Sequence, residues 1–94
     1  MPAYVILDID IHDPARYDDY KRFPQTVAPF GGRYLARGGA AETLEGDWTP
    51  GRMVIIEFPS TERARAWIES AEYREARETR AAAARSRTIV VEGL

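Results

Sequence analysis

Apolar and polar residues alternate along the first part of the chain. Every odd position from Ala3 to Ile11 is apolar, whereas the even positions mix apolar, aromatic and acidic side chains. A period of two predicts a β-strand with one wholly apolar face. The dense apolar run Met53–Phe58, interrupted only by Glu57, predicts a more central strand. Shorter strands are predicted at Arg33–Arg37 and Thr88–Glu92.

Apolar residues at helical spacing predict a helix after the first strand. Asp13 is expected to cap it, and Pro14 to occupy its first position, where the missing proline N–H costs nothing. Pro24 should bend this helix because it cannot donate a hydrogen bond to a carbonyl of the preceding turn, and Gly31-Gly32 should end it. The buried stripe comprises four residues spaced three and four apart, namely Tyr17, Tyr20, Phe23 and Val27.

A second helical region contains two start signals. Ser60 is a suitable N-cap for a helix that buries Trp67. Ser70 gives a second signal of the same kind, so we expect a break near Ser70 and a new helix that reaches about Arg85. The chain should therefore carry its second helix in two pieces.

Glycine pairs close both ends of the second strand. Gly38-Gly39 is expected to form a bulge or a sharp bend, after which Glu42–Leu44 should resume the strand. The segment Gly46–Gly51 has the composition of a hairpin loop. Strict alternation would place three side chains on one face of this strand, namely Arg33, Leu35 and Arg37.

The order of these elements is β-α-β-β-α-β, which predicts an α+β, ferredoxin-like domain over residues 1–94 with a four-stranded antiparallel sheet. One sheet face should take both helices. The other face is predicted to carry Ile6, Asp8, Ile55, Glu57 and, if register permits, Arg37. Such a face is too apolar to remain in water, and a symmetric second sheet is the simplest cover. We therefore expect a homodimer that associates through the open sheet face.

The amino-acid composition argues against nucleic-acid binding, a membrane span and a metal site. The formal net charge of -2 disfavours nucleic acid as a partner, and the strand at residues 52–58 lacks the stacking aromatics and glycine of an RNA-binding sheet. The longest uncharged stretch is far too short for a membrane span. The chain has no cysteine and one histidine, His12, so we predict no metal site. Because its start does not resemble a signal peptide and no stretch could span a membrane, we expect a cytoplasmic location.

Four stretches together resemble domain-of-unknown-function family 1330, namely residues 31–39, 44–48, 54–59 and 67–73. The resemblance spans nearly the whole chain. It implies the dimeric α+β barrel fold, as in the small antibiotic-biosynthesis monooxygenases and muconolactone isomerases, and it implies no established activity. One departure is Ala71, where the family pattern favours proline.

Arg37 is the first candidate for chemistry. A guanidinium on an apolar strand face can hold a carboxylate or enolate oxygen through two hydrogen bonds. The structural alternative is an ion pair with Glu57 or Asp8 inside the dimer. Glu57 itself could act as a general base with a pKa raised by burial, or it could be the partner of an arginine.

Ser70 and Tyr73 stand at a predicted helix start, where free N–H groups favour an anion, although Ser70 could merely cap the helix and Tyr73 merely pack beside Trp67. Tyr20 and Trp67 could line a ligand pocket, but aromatic residues on an amphipathic stripe are more often core.

Two functions remain open from the sequence. The first is a cofactor-independent isomerase or oxygenase that acts on a small organic acid or an aromatic substrate, with Arg37 as an electrostatic clamp and Glu57 or Tyr73 as acid and base. The second is a non-catalytic dimeric module that binds a ligand or a partner, in which Arg37 and Glu57 only stabilise the barrel.

Overall fold

Four strands form one antiparallel sheet in the order β2-β3-β1-β4, which is the ferredoxin-like arrangement. The computed structural model describes residues 1–22 and 25–94. Its elements are β1 (Ala3–Ile11), α1 (Pro14–Lys21), a 3-10 turn (Ala28–Phe30), β2 (Arg33–Arg37), β3 (Arg52–Phe58), α2 (Thr61–Ile68), α3 (Ala71–Ala83) and β4 (Ala84–Glu92). The predicted fold class and order of elements are confirmed.

The central strands divide their side chains between two faces as the alternation predicts. The odd residues of β1 and the even residues of β3 point towards the helices, and all of them are buried except Ile11 and Arg52, which are partly exposed. These strands supply six buried residues of the covered face, among them Phe58 at 0% exposure. The core therefore lies between the sheet and a single helical layer, and it is formed by Val5, Leu7, Ile9, Val54, Ile56 and Phe58 together with helix residues.

Side-chain caps set the start of all three helices. The Asp13 carboxylate accepts a hydrogen bond from the backbone N–H of Arg16, and Pro14 follows in the first turn. Ser60 and Ser70 cap α2 and α3 in the same way. The predicted break near Ser70 is confirmed, because α2 ends at Ile68 and α3 begins at Ala71.

The first helix is shorter than the apolar stripe suggested. It ends at Lys21. The backbone N–H of Arg22 donates to the carbonyl of Asp19, three residues earlier, which is the pattern of a 3-10 turn rather than of an α-helix. Val27 is buried but lies outside the helix, just before the 3-10 turn. The expectation that the helix would continue to Val27 is wrong. The bend expected at Pro24, and Phe23 with it, lie outside the described residues.

Two strand boundaries also differ from the sequence prediction. Residues 42–44 form no strand; they belong to a long loop between β2 and β3 in which Thr43 donates a hydrogen bond to the carbonyl of Trp48. The last strand begins at Ala84 rather than Thr88, because Ala84 pairs with Ile11 at the end of β1. The backbone N–H groups of residues 12 and 13 donate to the carbonyl of residue 83, which fixes this corner.

Within residues 1–22 and 25–94, no helix lies over the second sheet face. The chain measures 34 × 32 × 16 Å, and the short dimension fits one sheet and one helical layer. Four large apolar side chains are largely exposed on or beside this open face, namely Leu35, Trp48, Ile89 and Val91. Among residues 1–22 and 25–94, no helix has the length and apolar character needed to cross a membrane.

Candidate functional site

The position of Arg37 is set by a β-bulge. Arg33 pairs with Glu57 and Tyr34 with Ile56, but Ala36 then pairs with Ile55, so Leu35 is an extra residue in the ladder. An extra residue reverses the faces of everything that follows it. Arg37 is therefore opposite Val54 on the helix side of the sheet. The prediction that Arg37 shares a face with Glu57 and Arg33 is wrong.

The bulge brings Arg37 to a group of aromatic side chains under the helices. The Arg37 guanidinium lies over the ring of Tyr34, 4.5 Å from its centroid. Tyr20 from α1 and Tyr73 from α3 meet at the same place, where their hydroxyl oxygens share a hydrogen bond of 3.2 Å. The Arg80 guanidinium donates a further hydrogen bond to the hydroxyl of Tyr73. We call Tyr20, Tyr34, Arg37, Tyr73 and Arg80 the tyrosine-arginine cluster.

Further aromatic side chains fix the back of the cluster. The rings of Trp67 and Tyr73 are in contact, with centroids 4.3 Å apart, and the Trp67 indole N–H donates to the Thr26 hydroxyl at 2.9 Å. The ring of Tyr17 lies 5.3 Å from that of Tyr20. Because these contacts come from α1, α2 and α3, they hold Tyr20 and Tyr73 from several sides.

The site is rich in positive charge. Arg80 is buried, at 5% exposure, and forms no ion pair with a described residue. Arg52 beside Tyr17 and the exposed Arg37 also lack a carboxylate partner within the described part of the chain. No Asp or Glu of residues 1–22 and 25–94 lines the two small cavities at the cluster. Unpaired guanidinium groups in such surroundings favour an anionic ligand.

Burial changes the acidity of the phenols. It raises the pKa of Tyr73 far above the usual 10.0, and the neighbouring Tyr20 raises it further, whereas the charge of Arg80 acts in the opposite direction. Burial also raises the pKa of Tyr17 and of Tyr34. These three hydroxyls remain protonated at neutral pH and are therefore hydrogen-bond donors.

The free space at the cluster is small. Two cavities of about 20 Å³ each are shared by Tyr20, Tyr34, Arg37 and Tyr73. Each has room for about one water molecule. A ligand larger than one water molecule does not fit either cavity as it stands.

The remaining predicted site residues lie elsewhere. Glu57 is on the open face, where Arg33 donates to it at 2.6 Å, so it does not meet Arg37. Ser70 accepts the backbone N–H of Tyr73 and donates to the carbonyl of Trp67, so both its hydrogen bonds are those of a helix cap. Ser70 lines neither small cavity. The structure thus brings together Arg37, Tyr20, Tyr73 and Trp67 and separates Glu57 from them.

Asp8, the other proposed partner of Arg37, binds the loop between β2 and β3. Its carboxylate accepts the indole N–H of Trp48 at 3.0 Å and the backbone N–H of Gly51 at 2.8 Å. Arg87 lies 3.4 Å from the same carboxylate. Asp8 therefore anchors a loop on the open face and is not part of the tyrosine-arginine cluster.

Sequence reasoning missed Arg80 and Tyr34. Arg80 lies seven residues after Tyr73, on the buried stripe that also contains Ala76 and Ala83. A charged residue on an otherwise apolar helix face was the signal that could have identified it. Tyr34 had no comparable signal, because its contact with Arg37 follows from the bulge at Leu35. No group of three metal-binding side chains occurs in residues 1–22 and 25–94.

Comparison with known proteins supports the fold and gives the family. A protein of unknown function from Rhodopseudomonas palustris, RPA0582, is 25% identical with a TM-score of 0.77, over 99% of this chain and 82% of that one. Its methylated form gives 24% identity and a TM-score of 0.69, over 99% and 81% of the two chains.

SnoaB, a cofactor-independent oxygenase from Streptomyces nogalater, shares the fold at 10% identity, with a TM-score of 0.61 over 99% of this chain and 93% of that one. No curated protein matches the sequence. The model of a domain of unknown function, DUF1330, matches residues 2–94, and the chain therefore belongs to this family.

Proposed function

We propose that the protein is a cofactor-independent enzyme that stabilises the anion of a small organic acid or of an acidic aromatic compound, in an isomerase or oxygenase reaction. The observation that supports this proposal most is the Tyr73 hydroxyl, which forms hydrogen bonds with both the Tyr20 hydroxyl and the Arg80 guanidinium. Arg37 adds a second positive charge beside it. The fold is also that of SnoaB, but at 10% identity this likeness concerns the fold alone.

The residues suit the stabilisation of an oxyanion. A phenol whose pKa is raised stays protonated and can donate a hydrogen bond to an enolate or phenolate oxygen. Arg37 can hold the same oxygen or a neighbouring carboxylate. The lining of the two small cavities includes no carboxylate or histidine from the described residues that could act as a strong base. A substrate that readily loses its own proton to water is therefore the best match.

Two outcomes follow once such a substrate has lost a proton. The electron pair of the broken C–H bond can take up a proton at another carbon, which completes an isomerisation. It can instead attack dioxygen, which is the oxidant that an oxygenase reaction needs. In both reactions Tyr73 and Arg37 stabilise the anion that precedes the second step.

The test compares two arginines of the same strand. Salicylate, an acidic aromatic carboxylate, is expected to raise the thermal midpoint of the wild-type protein, and Arg37→Ala should abolish the increase. Arg33→Ala is the matched control, because Arg33 is on the opposite face. A salicylate shift that is unchanged in Arg37→Ala would refute the clamp role.

The alternative is a non-catalytic dimeric module that binds a ligand or a partner. It is favoured if Arg37→Ala dissociates or destabilises the protein without any effect on salicylate binding. It is also favoured if salicylate and related acids bind at Arg37 but none of them is converted when dioxygen is present and absent.

We also propose that two copies associate through their open sheet faces. The support is the row of exposed apolar side chains that includes Ile89, at 59% exposure, and Val91, at 45%. Light scattering at micromolar concentration should give twice the 10.6 kDa of one chain, and Ile89→Glu should lower the mass to that of one chain. A wild-type mass of one chain would refute the dimer. The cytoplasmic location and the absence of nucleic-acid and membrane partners stay predictions from composition.

A further inference from the structure

We infer that a groove on the other side of Arg80 binds a carboxylic acid with an apolar body. This β4 groove lies between α2, α3 and the last strand and has a volume of about 430 Å³. That size is within the range of small-molecule sites, and it is far larger than the cavities at the tyrosine-arginine cluster. The inference does not depend on the proposed enzyme activity.

The groove exists because small residues face it. Ala64 of α2, Ala81 of α3 and Ala84 of β4 all line it, and none has a side chain long enough to fill the space beside the edge strand. Val90, at 37% exposure, stands on the helix side of β4 and forms part of the wall. The wall formed by these residues is thus apolar, and the groove is open to solvent at one side.

Three arginines provide the polar part of the groove, and they are Arg65, Arg77 and Arg80. Arg80 is only 5% exposed, and its Nε has no hydrogen-bond partner among the described residues. The hydroxyl of Ser86, which also lines the groove, is likewise buried without a partner there. A buried donor that lacks an acceptor is costly, so an acceptor from a ligand would stabilise this arrangement.

The charge of the residues that line the groove determines the charge of the ligand that can bind there. No Asp or Glu within the described part of the chain lines the groove. Arg65 forms no ion pair there, and Arg77 donates only to the backbone carbonyl of Ile68, at 3.2 Å. Cationic ligands are therefore disfavoured, and a carboxylate is the anion whose planar geometry matches a guanidinium. The apolar wall requires an alkyl chain on the same molecule.

Arg80 connects this groove with the tyrosine-arginine cluster. One terminal nitrogen of its guanidinium donates to the Tyr73 hydroxyl, whereas its Nε is free of partners in the described residues. A carboxylate held by Arg65 and Arg77 in the groove would therefore lie beside the guanidinium that donates to Tyr73.

The test uses octanoate as the probe and isothermal titration calorimetry on the full chain. Octanoate should bind at least about tenfold more tightly than octan-1-ol, because its carboxylate gains charge-assisted hydrogen bonds, and octylamine should not bind. Equal affinity for octanoate and octan-1-ol would overturn the role of the arginines.

Two pairs of variants locate the site. Arg77→Glu should weaken octanoate binding by about tenfold or more, whereas Arg74→Glu, which makes the same charge change on the same helix outside the groove, should change it less than about threefold. Ala81→Phe should block binding because the ring enters the groove, whereas Ala82→Phe, at an exposed neighbouring position outside it, should not.

Two further outcomes would overturn the inference. The first is unchanged octanoate affinity in both Arg77→Glu and Ala81→Phe. The second is a fall in the light-scattering mass of Ala81→Phe without octanoate binding in the wild type, which would mean that a second copy of the chain occupies the groove. Both variants alter exposed positions, so they leave the core intact.

Discussion

The hydrogen bond between Arg80 and Tyr73 is buried and involves a charged group, so its loss should destabilise the fold strongly. Tyr73→Phe deletes one oxygen, which leaves the buried Arg80 guanidinium without its described acceptor and also removes the bond to Tyr20. A hydrogen bond to a charged group contributes about 1.5–3 kcal/mol and a neutral one about 1 kcal/mol. We therefore expect Tyr73→Phe to lower the free energy of unfolding by about 2–4 kcal/mol.

Urea unfolding measures this change. With a slope of about 1 kcal/mol per molar urea for a protein of this size, the midpoint should fall by about 2 M or more. The protein concentration must be the same for all variants, because the stability of an oligomer depends on it. Tyr20→Phe is the matched control: it removes the bond between the phenols and keeps Arg80 paired, so it should cost only about 1 kcal/mol.

A double variant separates the cost of the lost hydrogen bond from the cost of leaving a buried charge without a partner. Tyr73→Phe combined with Arg80→Met removes the buried cation as well, and it should be more stable than Tyr73→Phe alone. The reasoning is refuted if Tyr73→Phe stays within about 0.5 kcal/mol of the wild type, which is the range of an ordinary surface change. It is also refuted if Tyr20→Phe costs as much as Tyr73→Phe.

Two further predictions concern the backbone and the pH dependence. Gly51→Ala should destabilise the protein by about 1–3 kcal/mol because the new methyl would overlap the backbone carbonyl of residue 9, whereas Gly39→Ala, with no atom within 4 Å, should stay within about 0.5 kcal/mol in the same assay. Burial raises the pKa of Tyr73 above the usual 10.0, so the folded state holds this proton more tightly than the unfolded chain does. Its contribution to stability is present below pH 10 and is lost as the pH rises further, so the wild-type urea midpoint should fall more steeply above pH 10 than that of Tyr73→Phe.

Much of the fold could be predicted because the local signals agreed with one another. Asp13, Ser60 and Ser70 are in place as caps, and each needs only its own helix to work. The alternation of apolar and polar residues in β1 and β3 likewise predicted which face of each strand is buried, because this pattern depends only on the sequence of the strand itself. The end of α1 could not be predicted, because Val27 is buried by tertiary packing and therefore continued an apolar stripe that the helix itself does not follow.

The site was harder to predict than the fold. Arg37 was correctly placed on the second strand. The face of the sheet to which it points depends on the pairing with β3, and nothing in the residues around Leu35 indicates an extra residue in the ladder. Glu57 therefore appeared to be a partner of Arg37, although its true partner is Arg33. Arg80 had one sequence signal, its place on the helix stripe that contains Tyr73, Ala76 and Ala83, but its bond to the Tyr73 hydroxyl depends on the tertiary packing of that stripe.

The bulge at Leu35 makes β2 a strand with two different ends. Arg33, at one end, is tied to Glu57 on the open face, while Arg37, at the other end, rests on Tyr34 beneath the helices. Both arginines belong to a segment of only five residues, so any sliding or twisting of that segment moves them together. A partner that shifts β2 at Arg33 on the open face would therefore also change the position of Arg37 on the helix face.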